Sequence, residues 1–177
     1  AVSDALTQTP DTFALTVGGI RAALAAGLGV GVHCVVERPN FAALEGHARF
    51  VAELRAGGQG VFHVSYSFPI PYRQRPLYEG AIVPLDELRP HLSSATRLLR
   101  DANIEARFLG TSGFPPCAYD DPLSLAPMLP ETVRAEMRVD HQLLEPCARC
   151  SLHGRCLGVH KAYAKAHGSR GIVPIEQ

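Results

Sequence analysis

Apolar positions recur along this chain in two rhythms, and the alternation between them points to a fold class. Phe13, Val17, Ile20 and Leu24 fall at i, i+4, i+7 and i+11, the spacing of one helix face. Thr9 is the expected N-cap with Pro10 at the first helical position, and Gly27 is the expected left-handed stop. The run from Val30 to Val36 is too short and too β-branched for a second helix, so it predicts a strand. Side chains alternate across a strand. Val30, Val32, Cys34 and Val36 therefore share a packing face, and Gly31, His33 and Val35 share the other. On the packing face, Cys34 reads as a core thiol and not as a ligand.

The two rhythms then repeat. Pro39 and Asn40 open a helix whose stripe is Leu44, Ala48, Val51 and Leu54, and Gly57 and Gly58 stop it. From Val61 to Phe68 the pattern alternates, with Phe62, Val64, Tyr66 and Phe68 on one side and His63, Ser65 and Ser67 on a side expected to be wet. Beyond the proline-rich PIPYRQRP, a third helix carries Leu85, Leu88, Leu92, Ala95, Leu98 and Leu99. Asp86 is its expected cap, and Pro90 predicts a delayed start or a kink. A third strand is expected over Ile104–Leu109, then a loop-rich stretch, then a short helix over Val159–Ala166 ending at Gly168.

Helices alternating with single strands imply parallel pairing through crossovers. The expected class is α/β: the second half of a partial (β/α) barrel over residues 1–112, followed by a loop-rich cysteine extension over 113–177. Ligands of such sheets sit at the carboxyl ends of the strands. His33, His63, Ser65 and Ser67 are therefore candidates to line a lumen, with Glu37, Arg38 and Asn40 in the loop after the first strand and Tyr72, Arg73 and Arg75 after the second. His33 or His63 as a general base is a further option, although no acidic residue stands at a spacing suited to orient either ring. Three strands with one polar face do not close a barrel. A missing N-terminal half, a partner chain or a dimer mate is expected to cover what is left open.

Charge narrows the function classes. The 177 residues hold 17 acidic and 17 basic side chains, so no net field draws the chain to nucleic acid. No apolar run is long enough to span a bilayer and no leader-like segment opens the chain, so a cytoplasmic, reducing location is expected. The basic residues from Arg155, beside the last cysteine, to Arg170 read as a solvated helix face.

The chemistry lies in the cysteines. Four of the five, Cys117, Cys147, Cys150 and Cys156, are spaced C-x29-C-x2-C-x5-C within GFPPC and PCARCSLHGRCLG. A C-x2-C pair brings two thiolates to one centre from a single turn, and Cys156 can return past Gly154 as a third. Three cysteines within ten residues, set among Pro146, Arg149, His153 and Gly154, do not resemble a core helix or strand. Four thiolates suit either a structural zinc ion or a 4Fe-4S cluster, and spacing alone leaves both open.

The segment FALTVGGIRAALAAGLGVGVHCVVERPNFAAL resembles the later part of a radical SAM barrel. GFPPC followed by PCARC, then C-x5-C-x-G with Tyr163 and Gly168, resembles the SPASM or twitch-like extension of such enzymes, which binds an auxiliary iron-sulfur cluster. The resemblance implies that the four cysteines hold an auxiliary 4Fe-4S cluster and that Asn40 and the loop after Ser67 approach the nucleoside of S-adenosylmethionine. It also implies a peptide or small-molecule substrate and a separate N-terminal barrel half, because the CxxxCxxC loop that holds the SAM-cleaving cluster does not occur in this chain. A non-catalytic zinc module that fixes a partner-binding surface is the alternative.

Overall fold

A computed structural model describes residues 2–56, 58, 62–71, 80–107 and 112–176. Three parallel strands, β1 (Val30–Val35), β2 (Phe62–Ser67) and β3 (Glu105–Arg107), form a sheet in that order, in register Val32↔Val64↔Ala106. Helices α2 (Thr12–Ala25), α3 (Leu44–Ala56) and α4 (Leu85–Asp101) alternate with them. The mixed α/β class and the parallel pairing agree with the hydrophobic pattern. Among the described residues the sheet has three strands and does not close into a barrel.

The core lies between one face of the sheet and the α3–α4 pair. Val64 and Tyr66 of β2 pack in one cluster with Leu44, Ala48 and Val51 of α3 and with Leu88, Leu92, Ala95 and Leu99 of α4. Val30, Val32 and Cys34 lie half-buried against the same cluster, so the packing face of β1 is the expected one. α2 is less engaged: only Val17 and Leu24 are buried, and Leu15 is 74% exposed.

Local signals failed where a distant group supplied the bond. α2 starts at Thr12, not at Pro10, and its N-cap position is Asp11 at φ 62°, not Thr9. The cap comes from an unforeseen short helix, α1 (Val2–Thr7), whose Asp4 carboxylate accepts from the Phe13 N–H at 2.9 Å and the Thr12 hydroxyl at 3.0 Å. Asp86 does not cap α4 either. Pro84 holds the N-cap position, the Leu85 N–H donates to the Tyr163 hydroxyl at 3.0 Å, and Asp86 pairs with Arg170 at 3.0 Å. The helix runs through Pro90 without interruption.

At the other end of α2 the expected stop holds. Gly27 at φ 73° donates to Leu24 and Leu28 to Ala23, both at 3.0 Å, the paired closure that a left-handed residue permits. The expected helix stop at Gly57, the strand limits at Val61 and Leu109, and Tyr72, Arg73 and Arg75 lie outside the described residues.

The cysteine region is a chain of 3-10 turns with one small antiparallel pair, β4 (His141–Gln142) and β5 (Val159–His160), leading into α5 (Lys161–His167). The last helix is thus shorter than the pattern implied, its first two residues being strand. Phe114, Ala118, Val159, Tyr163 and Ile172 belong to the same cluster as the sheet and its helices.

Candidate metal centre

Cys117 sits in a 3-10 turn (Pro116–Ala118) entered through Pro115 and Pro116, while Cys147 lies in another (Glu145–Arg149) with Cys150 at its end. Although 29 residues separate Cys117 from Cys147, the thiol-bearing residues Cys117, Cys147, Cys150 and Cys156 all line one cavity. All are free cysteines. The remaining wall is mostly apolar, with Leu143, Leu152, Ile172 and Val173 among its members. The enclosed space is about 20 Å³, room for an object the size of one water. Among the described residues, no three His, Cys, Asp or Glu side chains are already grouped to hold a single metal ion.

Local backbone chemistry favours charge on these sulfurs. Gly158 donates its N–H to Cys156 Sγ at 3.2 Å, and the Val173 N–H donates to Cys117. Gly158 is needed there: its φ is +88°, and a Cβ would fall 2.2 Å from the Gln142 carbonyl oxygen. Two guanidinium groups stand behind the same cysteines. Arg89 Nε donates to the Cys117 carbonyl at 3.0 Å, and Arg138 Nη2 donates to the Cys156 carbonyl at 3.2 Å. Arg89 also donates to the Gly171 carbonyl at 2.6 Å, tying α4 of the frame to both the Cys117 turn and the C-terminal tail. The tail is held from the other side by the Ser151 N–H donating to Ile175 at 2.8 Å.

Burial opposes these groups. It pushes the Cys117 thiol up to about 12 and the Cys156 thiol up to about 11, with the neighbouring sulfurs adding to the rise and Arg89 and Arg138 offsetting part of it. The donor set, the N–H bonds to sulfur and the apolar wall suit a soft metal, and the enclosed space of about 20 Å³ is the size of one ion, so a four-iron cubane would need the cysteine turns to move apart.

The sheet residues form a second constellation. His33 lies between two serines of β2, with Nδ1 3.0 Å from Ser65 Oγ and Nε2 2.9 Å from Ser67 Oγ. Ser65 and Ser67 are buried, so β2 is drier than its alternation implied; His33 is exposed and covers them. With Ser67 only 2% exposed, this His–Ser contact offers no access to a substrate as a nucleophile and base. The His63 ring lies over Gly31, whose added Cβ would be 2.5 Å from Nε2.

Asn40 holds the loop after β1, accepting from the Glu37 N–H at 2.8 Å and donating to the Val35 carbonyl at 2.8 Å. Both contacts shape the strand-to-helix turn. Register adds two residues that the strand pattern did not single out: Glu105 opposite His63 and Arg107 opposite Ser65. No element among the described residues covers the Gly31, His33 and Val35 face, where Val35 is 41% exposed.

No family model, no curated protein and no solved structure matches the chain.

Proposed function

We propose that this chain is the C-terminal portion of a radical SAM enzyme, with Cys117, Cys147, Cys150 and Cys156 holding an auxiliary 4Fe-4S cluster. The observation that carries the reading is the convergence on one cavity of a cysteine from the GFPPC turn and three from PCARCSLHGRC. A single zinc ion bound at about 2.3 Å would need the four sulfurs within about 3.8 Å of one another. A cubane asks for less convergence, because each thiolate binds its own iron.

When bound, such a cluster supplies one-electron transfer or structural support, since four thiolates leave no open iron position. The residues of this chain prepare the site. Cys117 and Cys156 lose protons from sulfurs that already accept N–H bonds from Val173 and Gly158. Arg89 and Arg138 set positive charge beside the thiolates, and Leu143, Leu152 and Ile172 keep water away. The exposed Gly31, His33 and Val35 side of β1, with His63 over Gly31, is the part that would face the lumen once a second barrel half paired with the sheet, while Ser65 and Ser67 beneath His33 and Asn40 in its turn would shape the S-adenosylmethionine and substrate barrel from behind.

A second reading, a non-catalytic zinc module fixing a partner-binding surface, is favoured by the small enclosed volume of about 20 Å³. Anaerobic reconstitution with iron and sulfide separates the two. The cluster reading expects about four irons and four sulfides per chain, with a brown colour that Cys150→Ala bleaches. Uptake of one zinc per chain and no iron replaces it with the zinc module.

A further inference from the structure

A cavity of about 540 Å³ lies away from the cysteines, between the C-terminal half of α4, the strand β3 and the segment following the Cys117 turn. Its volume is that of a small-ligand or side-chain pocket, typically about 300–1,000 Å³. Ile104, Glu105, Ala106 and Arg107 all line it. Consecutive residues of a strand point to opposite faces, so a cavity lined by all four runs along the strand's edge. Among the described residues β3 pairs with β2 alone, and none forms a backbone bond across its outer side.

The cavity has an apolar and phenolic wall with one unused charge of each sign. Tyr66, Tyr119, Leu125 and Met128 supply the wall. Of the charged lining residues, Glu105 is paired with Arg107 at 3.1 Å and Asp121 with Arg100 at 4.0 Å. Arg97 and Asp120 form no ion pair among the described residues; Glu45, the carboxylate that senses Arg97, is taken by Arg49 at 2.7 Å and by Ser94 at 3.2 Å. The Asp120 N–H donates to the buried Ser93 hydroxyl at 2.9 Å, which fixes that wall to α4.

We propose that this cavity docks an extended peptide segment of another chain, which adds a strand to the outer edge of β3. Its apolar side chains enter the space walled by Tyr66 and Tyr119, while an acidic residue meets Arg97 and a basic residue meets Asp120. Main-chain bonds to the strand supply affinity, and the alternate side chains and the two charges supply selection. The proposal does not rest on what the cysteines bind.

The test uses the full chain with two blocked peptides of equal composition, Ac-Glu-Val-Tyr-Val-Lys-NH2 and Ac-Lys-Val-Tyr-Val-Glu-NH2, followed by calorimetry and amide hydrogen exchange. One order is expected to bind at about 10–100 µM, at least tenfold better than the other, and to slow exchange at residues 105–107. N-methylation of its central amides should remove binding. The double variant Arg97→Glu/Asp120→Lys, with circular dichroism confirming its fold, should prefer the opposite order. Binding of neither peptide below about 1 mM, equal binding of the N-methylated peptide, or an unchanged preference in the folded double variant each overturns the proposal.

Discussion

Arg89→Met isolates the link between the α/β frame and the cysteine turns. The substitution keeps the stem of the side chain but deletes two hydrogen bonds, to the Cys117 carbonyl at 3.0 Å and to the Gly171 carbonyl at 2.6 Å, both part-buried. Hydrogen bonds to a charged donor contribute about 1.5–3 kcal/mol each. Because the group is only partly removed from solvent, the lower end applies, and the loss is about 3 kcal/mol, roughly a hundredfold in the folding equilibrium. For a chain of this size that lowers the urea midpoint by about 1.5 M. The assay is urea unfolding of the metal-free, reduced protein followed by far-ultraviolet circular dichroism, with Arg89→Lys alongside. Lysine keeps the charge but not the fork, so it should recover no more than half of the difference. If Arg89→Met unfolds at the wild-type midpoint, the guanidinium does not hold the Cys117 turn to the frame, and the account of how the site is assembled fails.

Other outcomes follow from neighbouring contacts. Tyr163→Phe removes a buried hydroxyl that accepts from the Leu85 N–H and donates to the Arg170 carbonyl, so thermal unfolding should show a loss of about 1–3 kcal/mol. Gly158→Ala places a methyl 2.2 Å from backbone at a left-handed position and should cost about 2 kcal/mol or more, with weakened soft-metal uptake measured by competition with a chromogenic chelator. Gly31→Ala meets the far end of the His63 side chain at 2.5 Å, which can swing away, so the same unfolding assay should show less than about 1 kcal/mol. Burial raises the Cys34 and Cys156 thiols from 9.0 to about 11, so the folded state keeps protons that the unfolded chain has lost. The contribution of these thiols to the stability of the metal-free protein is complete below pH 9 and lost as pH rises to about 11; a midpoint unchanged between pH 8 and pH 10.5 refutes this.

Much of the frame was legible because its instructions are local. The alternation in β1 and β2 and the stripe of α4 each need only the period of their own element, and they put Val64, Leu88 and Leu92 where the core is. Helix starts were less legible: Asp4 caps α2 from nine residues before Phe13, and Tyr163 serves Leu85 from 78 residues away. A search for capping residues beside each start finds Thr9 and Asp86, which do other things. The pair β4–β5 escaped because strands of two residues carry no measurable period.

For the candidate site, the sequence by itself determined the donors: four cysteines in two groups, set among prolines and glycines that disfavour regular structure. It also determined that β1 and β2 would each carry a polar side, since alternation is written residue by residue. Only the tertiary structure decided that Cys117 and the later trio border one cavity, that Arg89 and Arg138 stand behind them, and that His33 closes over Ser65 and Ser67. The physical reason is reach. Periodicity and turn chemistry act over a few residues, whereas a guanidinium, an imidazole or a thiol finds its partner across whatever distance the packed core folds away.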